Sequence, residues 1–556
     1  MRSAEIATPL SWFRLASIAT VAIIFARLAF GRRWMCDDGL IVTRAVRQLL
    51  DGNGPVFNAF ERVETSTSTL WTYLLAALGG ITGADLAKLA VYAGLVLATA
   101  AIVIAMAATA RLRGAILPGS VLVVLGVCPF WDFATSGLEN GLCFAWLALC
   151  WWLLVTLARS RLTITAFVLG LGPLVRPDFG LVSIVFLAGA WYIERPSRRR
   201  TLLLAGVAIA LPLAYEIFRA GYYGLLVPLP ALTKSAAGAE WARGWIYLRD
   251  FAHPYVLWVP LAALLGPAVV ELRRGPAVTR ERVISLVPIA SGCLLGLYVV
   301  RVGGDFMHAR MLLAPLFLLL LPTFMLPASK LTIPAFGVLA TWALVIGISR
   351  GDGRSHVTGP GMIADERLVY LWWTHRNHPI EARMFVFANR PRTTDALMDL
   401  VLGQRRLLAE DFPIHVAMNP ARPGPLVYAA SHLGTAGAAV PLDAIAADVL
   451  GLANPIGARI TRTTPGASGH EKTLPPAWLL ADYADPSAQV SGVPQLAVDA
   501  AQRAMRCGEL AELLESARAP LTWSRFWSNL TGALRRTRLV IPADPLQAEH
   551  EFCAPP

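Results

Sequence analysis

The sequence predicts a polytopic α-helical membrane protein with a C-terminal extracytoplasmic soluble domain of α/β or α+β type. Three observations predict it. The 556 residues are 56% hydrophobic and 15% charged, with a mean hydropathy of +0.54, whereas soluble domains carry about 25% charged residues. Apolar runs near the roughly 20-residue length of a membrane span recur through the first 349 residues. Beyond them, residues 350–556 turn polar and rich in Pro and Gly, a stretch of ordinary domain size.

Taken in order, the apolar runs fall near 10–30, 86–110, 114–128, 140–158, 162–175, 180–193, 201–218, 254–271, 283–300, 311–327 and 331–348. Eleven spans are expected. The first ends at Gly31-Arg32-Arg33-Trp34 without a small-residue cleavage site, so it reads as a retained helix and not a cleaved signal. Arg111/Arg113, Arg159/Arg161, Arg195 with Arg198–Arg200, Arg273/Arg274 with Arg280/Arg282, and Lys330 fall in every second connector. The other connectors hold Asp37, Asp38, Glu61, Glu64, Asp132, Asp178, Asp250 and Asp305. The positive-inside bias then puts the N-terminus in the cytoplasm and the acids and C-terminal domain outside the plasma membrane. Residues 66–82 are apolar enough to tempt a twelfth span. Counting them would invert every later connector, so they are placed as a juxtamembrane or half-inserted helix. Arg32 and Arg33 then lie outside against the rule, by snorkelling at a helix end or by attracting a phosphate.

The net charge of +12 belongs to the membrane half. Through Ser349 there are 29 Lys and Arg against 17 Asp and Glu, and beyond it 20 against 20. That asymmetry describes topology and argues against nucleic acid as a partner. Cys36, Cys128, Cys143, Cys150 and Cys293 lie in or beside apolar spans without metal-ligand spacing and read as small packing residues. Cys507 and Cys553 are the pair in the tail, where a disulfide would fit an oxidising exterior. Helices are expected at 394–409 and 497–517, and strands at 383–388 and 425–430. The expected domains are 1–349, with a catalytic first external loop at 31–84, and 350–556.

Chemistry concentrates in the outer connectors. Asp37-Asp38-Gly39 follows the first span. Sugar transfer from a lipid phosphate needs a carboxylate to take the acceptor's proton or to stabilise charge at the anomeric carbon. The plainer reading is an N-cap of the helical stretch that follows. In Val302–Arg310 two glycines permit a tight turn, after which Asp305, His308 and Arg310 project together. Arg310 could clamp a phosphate bidentately with His308 assisting, or pair with Asp305 to pin the loop. Arg176-Pro177-Asp178 offers either an internal ion pair or a substrate contact. Lys234 follows Tyr222-Tyr223-Gly224 and could meet a phosphate, while Trp241, Trp245 and Tyr247 fit an interfacial helix. Glu139 and Asn140 open a span, where helix capping suffices for Glu139. Trp372-Trp373 and Gly469–Lys472 suit sugar contact or folding equally. No Walker loop, metal-type His/Cys cluster or G-x-S-x-G occurs, which argues against a nucleotide-driven pump.

Together the acid pair, the TSTLW helix, the YYG…P…K loop and an external tail resemble the polyprenyl-phosphate-sugar-dependent transferases of GT-C type. SGLEN, RPDFG, GGDFMHAR and GLANPIGARIT…GHEK are similar, more narrowly, to the terminal β-(1→2)-arabinofuranosyltransferase family. A motility-associated membrane family shares the same motifs. The resemblance implies a decaprenyl-phosphoryl-arabinofuranose donor, an arabinan acceptor in arabinogalactan or lipoarabinomannan, and catalytic roles for Asp37 and Asp38. Charge and side add Arg310, His308, Lys234 and Arg176 as donor-phosphate contacts, and Asp305, Asp178, Glu139, Asn140 and Tyr223 as substrate contacts. Asp37 is expected to act directly and Asp38 in support. No cofactor is expected to be required; a divalent cation on Asp37, Asp38 or Asp305 is the alternative. The sequence carries nothing on oligomeric state. Competing classes are a non-catalytic relative in envelope assembly or motility, and a lipid or sugar transporter. Retention of both acids speaks against the first, and the absence of charged or broken helices at midplane speaks against the second.

Overall fold

Among the residues the computed structural model describes (9–235, 238–273, 279–351, 353, 358–386, 391–463 and 466–554), six helices are long and apolar enough to cross a membrane. They are Trp12–Gly31, Leu86–Arg113, Pro177–Glu194, Arg198–Tyr222, Arg280–Arg301 and Thr332–Arg350. Each coincides with one of the eleven expected spans. The other five expected spans are shorter or interrupted. Residues 114–128 contain a two-residue strand, Leu117–Pro118, paired with Met325–Leu326, and then a six-residue helix, Val121–Gly126. Residues 162–175 divide into Leu162–Gly170 and Gly172–Val175, with Pro173 inside the second helix's first turn. Asn140–Val155, Trp258–Arg273 and Arg310–Leu320 are helices of 16, 16 and 11 residues. The juxtamembrane expectation at 66–82 corresponds to the helix Thr69–Thr82, capped by Ser68 and ended by Gly83 in the left-handed region.

The chain divides into two compact units, each built from three separate stretches. The first takes Met1–Trp34, Ala90–Pro212 and Ala239–Val369; the second takes Met35–Leu89, Leu213–Gly238 and Tyr370–Pro556. In the first unit the long helix Arg280–Arg301 packs against Arg310–Leu320 and against Gly180–Glu194.

Helix α1 spans Asp37–Leu50, α2 Arg198–Tyr222 (its last turns in the second unit), α3 Leu433–Ala439 and α4 Trp523–Arg538. The second unit centres on a four-stranded sheet of β1 (Arg406–Ala409), β2 (His415–Ala417), β3 (Leu426–Ala430) and β4 (Ile445–Asp448), in the order β2-β1-β3-β4. β1, β3 and β4 run parallel and β2 is the antiparallel edge. β3 is a fully buried apolar run, as a parallel strand covered on both faces should be. Alternation assigns its side chains to two cores. Leu407, Ala409, Val427 and Ala429 pack with Trp478, Leu480 and Leu513; Leu408, Tyr428 and Ala430 pack with Ile41, Phe57 and Leu433.

The strand expected at 425–430 is β3. The helix expected at 394–409 stops at Val401, because Gly403 at φ +66° turns the chain into β1. The helix expected at 497–517 breaks at residues 505–507 into Gln495–Ala504 and Gly508–Arg518. Residues 383–386 of the expected strand at 383–388 lie in the short helix Ala382–Val386, and 387–388 lie outside the described residues. A short apolar run does not by itself separate strand from helix. Cys507 and Cys553 form a disulfide.

α1 and α3 are joined end to end. The Arg44 guanidinium, 1% exposed, donates to the carbonyls of Phe57, Gly437, Val440, Pro441 and Ala444 at 2.6–3.2 Å. Two of these carbonyls, those of Gly437 and Val440, terminate α3, so a buried cation sits at the negative end of its dipole. Arg44→Met leaves those carbonyls without a donor and is expected to lower stability by about 3 kcal/mol, read by thermal unfolding of the purified protein. Replacing both Cys507 and Cys553 by Ser opens a link across 46 residues. That is expected to cost about 4 kcal/mol, read as a lower unfolding temperature matched by wild type under reduction.

Candidate active site

The acid pair opens α1. Cys36 is the N-cap, its Sγ accepting from the Gly39 N–H at 3.2 Å, so the capping expected of an aspartate is done one residue earlier. Asp37 and Asp38 occupy the first turn, where the helix dipole favours carboxylates. The Asp37 side chain, 8% exposed, reaches across to α3. One oxygen accepts from the Gly434 N–H and the other from the Thr435 N–H, both at 2.8 Å. His432, the N-cap residue of α3, makes no side-chain cap, so Asp37 caps that helix from another part of the chain. The approach requires Gly434, because a Cβ there would lie 1.9 Å from the Asp37 carbonyl oxygen. Asp38 is half-buried. Its side chain leaves α1 about 100° further around the axis.

The N-terminus of α3 follows directly from β3, so Asp37 is held at the carboxyl end of the parallel strands. That is where open α/β sheets bind ligands. Glu410 and Asp411 follow β1 at the same end, and Ser431 and His432 follow β3. Ser431 donates its N–H and hydroxyl to Asp411 at 2.7 and 2.9 Å, and His432 Nδ1 lies 3.2 Å from the Ser431 hydroxyl. Tyr428 donates its hydroxyl to Glu410. Trp373 meets the His432 ring edge-on at 4.5 Å, while Trp372 is 61% exposed. Sequence reading singled out the tryptophans but not Asp411, Ser431 or His432. The available signal was the βα turn itself, a buried apolar strand followed at once by Ser-His and a helix.

A second constellation lies in the first unit. Gly303 and Gly304 have φ of +90° and +73°, giving the expected tight turn. Arg310 then reaches Glu139 at 3.4 Å and Asp305 at 3.5 Å. Arg176 reaches Glu139 at 2.9 Å and Asp178 at 3.0 Å. These five residues form one ion-pair network, with two guanidiniums closed by three carboxylates. Glu139 is the N-cap residue of Asn140–Val155 but makes no side-chain cap, so ion pairing replaces the expected capping. Burial opposes its ionisation, yet Arg310 and Arg176 hold its pKa below the usual carboxylate value. Asn140 Oδ1 is buried without a hydrogen bond among the described residues. His308 belongs to a separate relay. Its Nδ1 faces Asp250 at 2.6 Å and its Nε2 faces the Tyr255 hydroxyl at 3.1 Å. Sequence reading named His308 without those partners.

The remaining expected residues are dispersed. Lys234 follows the helix Leu229–Thr233 in the second unit, its stem 3.2 Å from the place a Cβ on Gly469 would take. Lys472 donates to the Leu232 and Ala458 carbonyls at 2.9 and 2.8 Å. The YYG…K and GHEK motifs therefore meet in space. Tyr223 is buried and donates its hydroxyl to the Pro55 carbonyl at 2.7 Å. Arg32 forms a bidentate pair with Asp132 at 2.6 and 3.0 Å, in place of either snorkelling or phosphate attraction. Arg33 lies over the Phe30 ring, 4.1 Å from its centroid.

Glu139→Gln leaves two buried guanidiniums short of a carboxylate and is expected to cost about 3 kcal/mol. Because the folded pKa of Glu139 is depressed, its stabilising effect is present above the usual carboxylate pKa and is lost as pH falls through the folded value. Stability measured at falling pH should therefore converge for wild type and Glu139→Gln.

The AftB family C-terminal domain profile matches residues 416–551. The chain is 37% identical to the terminal beta-(1->2)-arabinofuranosyltransferase of Mycobacterium tuberculosis, over 95% of both chains. It is 35% identical to the protein of the same name from Corynebacterium glutamicum, over 96% of this chain and 87% of that one. No solved structure gives a significant match. Similarity of that extent, across membrane helices and tail alike, means that the chain belongs to the terminal β-(1→2)-arabinofuranosyltransferase family.

Proposed function

We propose that this chain transfers an arabinofuranosyl residue from decaprenyl-phosphoryl-arabinofuranose to the non-reducing ends of arabinan, in arabinogalactan or lipoarabinomannan. The product is a terminal β-(1→2) linkage, made on the outer side of the plasma membrane. The observation that carries the reading is family membership over the whole chain, with an acid pair fixed at the carboxyl end of a parallel sheet. The prenyl chain stays in the bilayer, and the lipid phosphate is the leaving group. Eleven spans, an outer C-terminal domain and independence from a metal cofactor belong to the same proposal.

The geometry favours a division of labour opposite to the one expected from sequence. Both oxygens of Asp37 accept backbone hydrogen bonds, which suits a carboxylate that holds the site together. Asp38 is the acid assigned to the reacting sugar. A β-linked donor giving a β-linked product implies net retention. Asp38 would then attack the anomeric carbon and release the lipid phosphate, after which the acceptor hydroxyl displaces the carboxylate and passes its proton to the released phosphate. Same-face attack through an ion pair is the other retaining route. In it Asp38 stabilises the positive sugar and the departing phosphate takes the proton. Lys234, Arg176, Arg310 and His308 remain the proposed phosphate contacts. For Arg176 and Arg310 that role requires the phosphate to displace Asp178 or Asp305.

The test is transfer by purified protein from a short-chain lipid-phosphoryl arabinofuranose to an arabinan oligosaccharide, with the new linkage read by NMR. Asp38→Asn should lose about 10³-fold in rate with an unchanged unfolding temperature. Asp37→Asn should lose less rate and should unfold at lower temperature. Full activity in Asp38→Asn would return the direct role to Asp37. Absence of transfer by folded wild type that binds the donor would sink the proposed reaction.

A further inference from the structure

The helix α4 has no place in the chemistry above, and its surface is unusual. Its buried face is Asn529, Ala533 and Arg536, spaced four and three residues apart. The opposite stripe carries Trp523, 81% exposed, Trp527, 58% exposed, and Leu534, 49% exposed, and runs on to Arg538. Leu521 before the helix and Val540 after it are also exposed. Bare tryptophans of this extent on a folded surface ordinarily mark an interaction site.

What covers the stripe follows from where α4 is attached. Phe526 packs on the last turn of α2, so closely that a Cβ on Gly221 would lie 2.2 Å from its ring. Arg536 donates to the Gly224 carbonyl at 3.1 Å, and the Leu226 N–H donates to the Thr537 hydroxyl at 3.1 Å. α2 is one of the six helices able to cross a membrane. Its flank is bare along its length, with Leu202, Leu203, Ile209, Leu213 and Ile217 exposed, as a lipid-facing helix requires. Arg198–Arg200 mark its cytoplasmic end, so the turn at Gly221 emerges on the outer side. α4 is thus pinned at the level where α2 leaves the bilayer.

We propose that α4 lies in the headgroup layer of the outer leaflet, with Trp523, Trp527 and Leu534 inserted below the phosphates. Tryptophan prefers this depth because its ring is apolar and its N–H is not. Arg538, exposed and without an ion pair among the described residues, is placed to meet a lipid phosphate at one end of the stripe. The helix holds the sheet-bearing unit on the membrane beside its lipid-borne substrate. The inference rests on α2 spanning the bilayer and is independent of the sugar transferred.

The test uses the full chain in nanodiscs of phosphatidylcholine and phosphatidylglycerol. Cys293, the exposed free cysteine, is replaced by Ser, and a nitroxide is placed on Trp527→Cys. Collisions with oxygen should exceed those with an aqueous nickel chelate, and the order should reverse at the exposed control site Gln495→Cys. Equal access of the chelate at both sites would overturn the proposal. So would a label immobilised and broadened by a second spin, because that places another copy of the chain on the stripe. If the labelled variant does not fold, brominated lipids answer the same question on native tryptophans. Trp523→Phe with Trp527→Phe should then remove part of the quenched emission, and an unchanged quenched fraction would overturn the idea.

Discussion

One short contact organises the sheet-bearing unit: α1 grips α3 at both ends. Asp37 accepts the N–H groups that open α3, and Arg44, two turns along α1, takes carbonyls that close it. A carboxylate at the positive end of a helix and a guanidinium at its negative end both lower the energy of the same dipole. The grip is selective about size, since Gly434 and Gly437 bring α3 against Asp37, Arg44 and Phe57 where any side chain would intrude. Burying Arg44 without a carboxylate among its hydrogen-bond partners is tolerable only because five carbonyls surround it. The orientation of the acid pair therefore depends on residues nearly 400 positions away.

This explains why two adjacent aspartates are held differently. Consecutive residues of a helix point about 100° apart, so both cannot face the same partner. Once Asp37 is committed to α3, Asp38 looks elsewhere. The surrounding groups come from the carboxyl ends of β1 and β3, as parallel sheets commonly arrange. The charged cluster of the first unit has a different character, its guanidiniums and carboxylates closing on one another. Such a network fixes connectors between membrane helices, where an unpaired charge would be costly.

The membrane character, the six long helices, the strand at 425–430 and the tail disulfide were legible because composition, apolar run length and cysteine placement reflect strong local constraints. The short helices were less legible. Residues 114–128 are almost wholly apolar, yet Leu117–Pro118 within them pair as a two-residue strand with Met325–Leu326, a partner about 200 residues distant that no local pattern reveals. The sequence exposed the acid pair but not how differently its two members are held. Asp37 is fixed by Gly434 and Thr435, and Glu139 by Arg176 and Arg310. Those are tertiary facts. Arg32 shows the same limit, since its partner Asp132 lies 100 residues away in sequence.

The grip of α1 on α3 also bears on how the protein is made. Asp37 and the Gly434 amide are separated by 397 residues, which ribosomes cover in roughly 20–80 s at about 5–20 residues per second. For that interval the segment carrying the acid pair waits without the amides that fix Asp37. The contact between Asp37 and α3 thus forms only after about three quarters of the chain has been made. A chain truncated before α3 would carry both aspartates and all six long apolar helices, yet lack the backbone amides that fix Asp37.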